Sequence, residues 1–307
     1  MAAVHWHILG AGAIGCLWAT HLAKAGHQVT LIVRTQDALN RFNQQGGVTL
    51  EHENISTLFT ANAQLADTEE PIHNLLLTTK AYDTKTALAS VQARLSQDAQ
   101  IVILQNGMGA QQSAAEQLAP KRVWAASTTD GAWLKAPFHV VFAGQGATRV
   151  GPLNATPQTD LPTQPQGMTP AEPMQVVADA DIEVSLWRKL VINCAINPLT
   201  ALYGCRNGEL VTDPDKYQHM AALCEEMDTL CNAKGLTLFD TPILEQAVAV
   251  ATATGTNYSS MLQDVRQQRR TELDFITGYL LKIAAEQGLN LPQNQSLYKT
   301  LTTDCKP

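Results

Sequence analysis

"HILGAGAIGCLWATHLAKAGHQVTLIVR" (residues 7 to 34) decides how this chain folds. It passes from an apolar, β-rich segment through Gly10, Gly12 and Gly15 into a helical pattern, pauses at Gly26 and returns to a second β-rich segment. A GxGxxG array between a strand and a helix has a specific physical reading. The first glycine permits the tight turn, the second lets a pyrophosphate approach the backbone, and the third lets helix and strand pack closely. The helix start adds free N–H groups and the positive end of its dipole. Gly10, Ala11, Gly12, Ala13, Ile14 and Gly15 are therefore the candidate cradle for a dinucleotide. Where the second strand ends, an NAD site places a carboxylate against the ribose 2'-hydroxyl, but this chain has Arg34. A guanidinium there suits the 2'-phosphate of NADP, so the expected cofactor is NADPH/NADP+.

Working outward, the same alternation continues. Strands are predicted over residues 5 to 9, 28 to 33, 74 to 79, 101 to 104 and 122 to 126, with helices over 14 to 24 and 84 to 95. This is the pattern of an α/β domain with a mainly parallel sheet. A β-rich tail over residues 138 to 150 should add antiparallel strands. Residues 151 to 173 carry six prolines (152, 157, 162, 165, 170 and 173) and read as a long loop. A short helix near 172 to 178 and a strand over 181 to 185 are expected next. The remainder is helical in pattern, with breaks at Gly235 and Gly255. The expected fold class is an α/β N-terminal dinucleotide-binding domain (1 to 184) followed by an all-α C-terminal domain (185 to 307).

Composition bounds the partners. A formal net charge of -7 leaves no basic stripe for nucleic acid or an anionic membrane. No run reaches the roughly 18 apolar residues of a bilayer span, and residues 1 to 10 lack a signal-peptide pattern, so a cytoplasmic protein is expected. Six cysteines without CxxC pairing read as free thiols. Eight scattered histidines form no HExxH motif, and no metal is expected.

Polar residues then single out a second constellation. Two strand ends deliver Lys80 ("NLLLTTKAYDT") and Asn106 ("IVILQNGMGA") to the edge where α/β sheets hold ligands. In "LWRKLVINCAINPLTALYGCRNGEL" (186 to 210), Lys189, Asn193 and Asn197 stand at i, i+4 and i+8, one drifting stripe of a helix. A further helix is predicted over "SSMLQDVRQQRRTELDFITGYLLK", placing Asp264 and Glu272 eight residues apart beside Ser259 and Ser260. The residues alone leave both stretches open between a site and a solvated helix face.

Taken together, GAGAIG (10 to 15), Lys80 in TTKAYD, QNGMG (105 to 109) and the two long C-terminal stretches resemble the 2-dehydropantoate 2-reductase (ketopantoate reductase) family. The resemblance implies a Rossmann domain plus a helical domain, NADPH as cofactor, and reduction of 2-dehydropantoate to (R)-pantoate on the route to pantothenate and coenzyme A. It also implies Lys189 and Glu272 as catalytic residues, and Asn106, Asn193, Asn197, Asn207 and Ser260 as substrate positions. Gly10 to Gly15, Arg34, Lys80, Asn106 and Glu272 fall on the cofactor side. The implied partner is a small 2-keto acid, with a monomer or homodimer expected. Residues 128 to 137 depart from the family pattern at Asp130 and Gly131. Two alternatives share the architecture: a reductase of another small 2-keto acid, and a non-catalytic NADPH-sensing protein.

Overall fold

The computed structural model describes residues 3 to 119, 121 to 153 and 162 to 304. In chain order the elements are β1 (His5–Leu9), α1 (Ala13–Lys24), β2 (Gln28–Ile32), α2 (Gln36–Gln45), β3 (Val48–His52), β4 (Ile55–Phe59), β5 (Asn62–Gln64), β6 (Ile72–Leu77), α3 (Thr84–Val91), β7 (Leu95–Leu104), α4 (Ala110–Leu118), β8 (Arg122–Thr128), β9 (Gly131–Ala136), β10 (His139–Gly144), β11 (Thr148–Pro152) and β12 (Val176–Ala178). Helices follow: α5 (Ile182–Tyr203), α6 (Glu209–Thr212), α7 (Pro214–Ala233), α8 (Ile243–Ala253), α9 (Ser260–Arg266), α10 (Thr277–Glu286) and α11 (Pro292–Asp304). The chain divides into two compact units. One holds the residues up to Gln105 together with Ala110–Ile182; the other holds Asn106–Gly109 with the chain from Glu183 onward.

The first unit is a Rossmann-type α/β body. Its large sheet runs β12-β11-β8-β7-β6-β1-β2-β5. From β5 to β8 every pairing is parallel, so the carboxyl ends of β1, β2, β6 and β7 share one edge. Parallel strands buried on both faces need continuous apolar runs, and "NLLL" and "IVIL" supply them. On one face, Leu88 and Val91 of α3 and Ala114, Ala115 and Leu118 of α4 pack on Leu75, Leu77, Ile101 and Ile103. On the other, Leu17, Trp18 and Leu22 of α1 are covered by a second sheet, β4-β3-β10-β9, through Val48, Leu50, Val140 and Phe142. Phe42 of α2 meets Phe138 edge-on at 5.1 Å.

Several local expectations are corrected. Residues 176 to 178 are a strand, not part of a helix, because Val176 and Val177 pair in parallel with Thr148 and Arg149 on β11. Residues 182 to 185 open α5 rather than forming a strand, since Ile182, Ser185 and Leu186 are buried with the i, i+3, i+4 spacing of a helix face. The tail over residues 138 to 150 does form antiparallel pairs, β10 with β9 and β11 with β8, but β10 also joins β3 in parallel. Part of the proline-rich stretch, 154 to 161, lies outside the described residues. Its continuation is anchored: Trp6 Nε1 donates to Gly167 O at 3.0 Å and Trp124 Nε1 to Pro162 O at 2.9 Å, with Met168 buried.

The second unit is helical in its described residues, apart from a 3-10 turn at Leu273–Phe275. Gly235 and Gly255 follow α7 and α8 as expected. Pro198 sits inside α5, which continues through it to Tyr203. Proline cannot donate to the carbonyl one turn back; Thr200 Oγ1 donates to Asn197 O at 2.8 Å beside it. No helix among the described residues is long and apolar enough to cross a membrane. Cys16, Cys194, Cys205, Cys224 and Cys231 are free and buried; Cys305 lies outside the described residues.

Candidate active site

In the first unit the glycine loop is built by close approach. Gly10 has φ +117°, and a Cβ there would stand 2.8 Å from the Thr79 amide. A Cβ on Gly15 would overlap the carbonyl oxygen of Gly10 and come 2.6 Å from Thr78 Oγ1. Thr78 Oγ1 donates to Gly10 O at 2.8 Å, tying the loop to the end of β6. Gly12 is different: nothing lies within 4 Å of where its Cβ would be. The open glycine is the N-cap of α1 and has no side-chain cap. The amides of the first helical turn thus face a position where a phosphate can come within backbone distance. Ala11, Ala13 and Ile14 are half-buried around it.

Two further strand ends border this loop. Lys80 is half-buried where β6 ends, and its carbonyl accepts from Asp83 N at 2.9 Å. Gln105, buried at the end of β7, donates from Nε2 to Thr79 O at 2.8 Å and to Thr84 Oγ1 at 2.8 Å, locking the segment that carries Lys80. Arg34 is exposed beyond β2, and its Nη2 donates to Asp83 Oδ2 at 2.6 Å. Asp83 had no place in the sequence reading, because it lies 49 residues from Arg34. Asp130, a point of departure from the family pattern, is buried and satisfied: it accepts from Thr128 Oγ1 at 2.8 Å and Gly146 N at 2.9 Å, pinning the β8–β9 turn.

In the second unit, α5 buries Leu186, Trp187, Leu190, Val191, Cys194, Ala195, Ile196 and Leu199, while Lys189, Asn193 and Asn197 form a half-buried stripe. The apolar residues hold the helix in the core, so the polar stripe is fixed in position and partly open. The Asn106–Gly109 turn packs into this unit, although the strand it ends belongs to the first. Met108 N donates to Phe275 O at 2.8 Å, Gly107 (φ +78°) passes so close to Phe275 O that a Cβ would overlap it, and Gly109 lies against Tyr279. Tyr279 in turn meets Trp187 of α5, ring centroids 5.9 Å apart. The fold therefore packs together the three pieces that carry Asn106, Glu272 and Lys189.

Glu272 is buried at the head of the 3-10 turn, and its carbonyl accepts from Phe275 N at 3.0 Å and Ile276 N at 3.1 Å. The single helix expected through Asp264 and Glu272 does not form. Gln268 has φ +53°, and Arg269 folds back to donate from its amide to Asp264 O at 2.8 Å. Asp264 is spent on an ion pair with Arg269, 2.8 Å apart, and closes α9. Ser259, not Ser260, is the N-cap of α9: it accepts from Leu262 N at 3.1 Å and from Thr200 Oγ1 at 2.6 Å, which ties α9 to α5 next to Asn197. Ser260 is exposed. A Ser-Ser pair preceding a helical pattern was the available signal for the cap. Asn207 is buried, donates from Nδ2 to Thr254 Oγ1 at 2.9 Å, and keeps a buried Oδ1 with no partner among the described residues.

Comparison with known proteins agrees with both halves. Residues 6–155 match the family described as ketopantoate reductase PanE/ApbA, and residues 181–303 match its C-terminal counterpart. The chain is 36% identical over 300 residues to a 2-dehydropantoate 2-reductase of Vibrio cholerae, covering 96% of each. Among solved structures it is similar to a probable 2-dehydropantoate 2-reductase from Bacillus subtilis (28% identity, TM-score 0.82, 97% of this chain and 99% of that one). It is also similar to a PanE/ApbA family ketopantoate reductase from Ralstonia eutropha (25% identity, TM-score 0.86, 97% of each). This chain belongs to the ketopantoate reductase PanE/ApbA family of oxidoreductases.

Proposed function

We propose that this chain reduces the 2-keto group of 2-dehydropantoate with NADPH to give (R)-pantoate. The observation that carries the reading is the packing of the Lys189 stripe, the Glu272 turn and the Asn106 turn into one body, in a chain that also holds an open glycine cradle. NADPH, when bound, supplies the hydride that attacks the C2 carbon. Reduction then needs one proton at the C2 oxygen, where negative charge builds. Lys189 is the group assigned to it: an ammonium stabilises that charge and donates the proton. Asn193, Asn197, Asn207 and Asn106 offer neutral donors and acceptors that orient the substrate carboxylate and hydroxyl without repelling them. Glu272 accepts from the substrate hydroxyl or orients the ammonium.

On the cofactor side, the residues fit a dinucleotide phosphate: the space at Gly12 and the uncapped α1 terminus leave room for it. Arg34 is assigned the 2'-phosphate. Its bond to Asp83 is no obstacle, since the Arg34 side chain is 76% exposed and exposed pairs are worth about 0–1 kcal/mol. A charged hydrogen bond to phosphate is worth about 1.5–3 kcal/mol. Arg34→Ala is therefore expected to weaken NADPH roughly tenfold to hundredfold and to leave NADH nearly unchanged, read by titration of each nucleotide. Asp83→Asn should act the other way. It removes a carboxylate that faces the incoming phosphate and should tighten NADPH a few-fold without altering NADH; weaker NADPH binding would mean that Asp83 orients Arg34 instead.

Chiral analysis of the product formed from 2-dehydropantoate and NADPH tests the reaction itself. (R)-pantoate is expected. Formation of the (S) product, or of none, would refute it.

A further inference from the structure

The fold brings together a set of metal-ligating side chains that the sequence reading found scattered. His5 and His7 stand two apart on β1, so their rings lie on one side of the strand, with centroids 4.3 Å apart. Glu70, from the segment leading into β6, reaches both: its Oε1 is 3.5 Å from His5 Nδ1 and its Oε2 is 3.4 Å from His7 Nε2. One ligand atom from each residue lies within 4.8 Å of the other two. We propose that His5, His7 and Glu70 form a binding site for a divalent transition-metal ion of the zinc class, distinct from the nucleotide cradle.

The distances support an ion at the centre over plain hydrogen bonding. A charged N–H···O bond is about 2.7–2.9 Å long, so contacts of 3.4 and 3.5 Å are poor hydrogen bonds. Four nitrogen and oxygen ligands at about 2.1 Å from zinc stand about 3.4 Å apart at the corners of a tetrahedron. The surrounding contacts are those of an outer shell. The second nitrogen of His5, Nε2, meets Thr30 Oγ1 at 2.8 Å, which orients the ring and leaves Nδ1 directed to the carboxylate. Gln64, with its amide turned so that nitrogen faces the acid, donates to Glu70 Oε2 at 3.1 Å and accepts from Arg94 Nη2 at 2.6 Å. Arg94 also donates to Glu70 O at 2.9 Å and to Ala66 O at 3.2 Å, fixing the segment that carries the acid. Arg94 stands near His7, and it donates its hydrogen bonds to that segment and to Gln64.

Access and chemistry agree. His5 and Glu70 line an open cleft of about 380 Å³ with Thr30, Asn43, Asn62 and Gln64. Two histidines and a carboxylate make a three-ligand set that leaves the fourth tetrahedral position to a small oxygen or nitrogen ligand from this cleft. His5 is at the start of β1 and Gly10 follows its end, roughly 16 Å away along an extended strand. Metal binding here should stabilise the protein through linkage while leaving NADPH-dependent turnover intact.

The test uses the full-length, untagged chain stripped with chelator and titrated with Zn2+ calorimetrically, with Co2+ as an absorbing probe. One equivalent is expected to bind in the micromolar range, to raise the melting temperature and to give a tetrahedral Co2+ spectrum. Glu70→Gln and His5→Ala, both at partly exposed side chains, should weaken binding by more than the roughly ten- to hundredfold that loss of an outer-shell partner costs, with reductase activity unchanged. No stoichiometric binding to the parent protein would overturn the assignment. So would equal binding to parent and both variants, which would put the ion elsewhere.

Discussion

Lys189→Ala is expected to lower kcat for 2-dehydropantoate by roughly a hundredfold to ten-thousandfold, the range supplied by a positioned proton donor. NADPH affinity should stay near that of the parent, because Lys189 belongs to the second unit and the glycine cradle to the first. The split matters more than the size. A residue that only packed α5 would lower the melting temperature and spare the rate per folded molecule. Lys189 is half-buried on a helix whose opposite side is fully buried, so truncation removes a charge without opening the core. Steady-state kinetics with a parallel melting curve separate the two. A kcat within a few-fold of the parent would remove Lys189 as the proton donor.

The second large effect is a contrast within the glycine loop. Gly15→Ala forces a methyl onto the Gly10 carbonyl and Thr78, all within the packed α1–β6 contact. It should cost about 1–3 kcal/mol of stability, as overpacking does, and abolish most NADPH binding by displacing the turn. Gly12→Ala meets nothing within 4 Å in the free protein. Its melting temperature should match the parent, while NADPH binding falls, since the methyl occupies the space assigned to the pyrophosphate. Equal NADPH affinity for Gly12→Ala and the parent would move the phosphate away from Gly12.

These two sites differ in how legible they were. The cradle is local: strand, glycines and helix lie within 20 residues of sequence, and each glycine's role follows from a turn or a close approach. The Lys189 stripe was legible as spacing, because α5 keeps its period through Pro198. The Asp264–Glu272 relation was not. Gln267, Gln268, Arg269 and Arg270 are all good helix formers, and the break comes from the Arg269 amide and guanidinium folding back on Asp264. Propensity carries no trace of such a contact. Asn106 reads as the end of a strand, yet its turn packs with Phe275, far along the chain. The Arg34–Asp83 pair and the His5–His7–Glu70 cluster depend in the same way on side chains brought together by strand order, which no single window contains.

The substrate assignment rests on the second unit, since a glycine cradle serves any dinucleotide-dependent reductase. The direct measurement is kcat/KM with saturating NADPH for 2-dehydropantoate beside pyruvate and branched 2-keto acids that lack its C4 hydroxyl. A preference for 2-dehydropantoate of several orders of magnitude is expected, because the Asn and Glu side chains proposed to hold its hydroxyl would lose that contact with analogues that lack one. Comparable values across the panel would contradict the account.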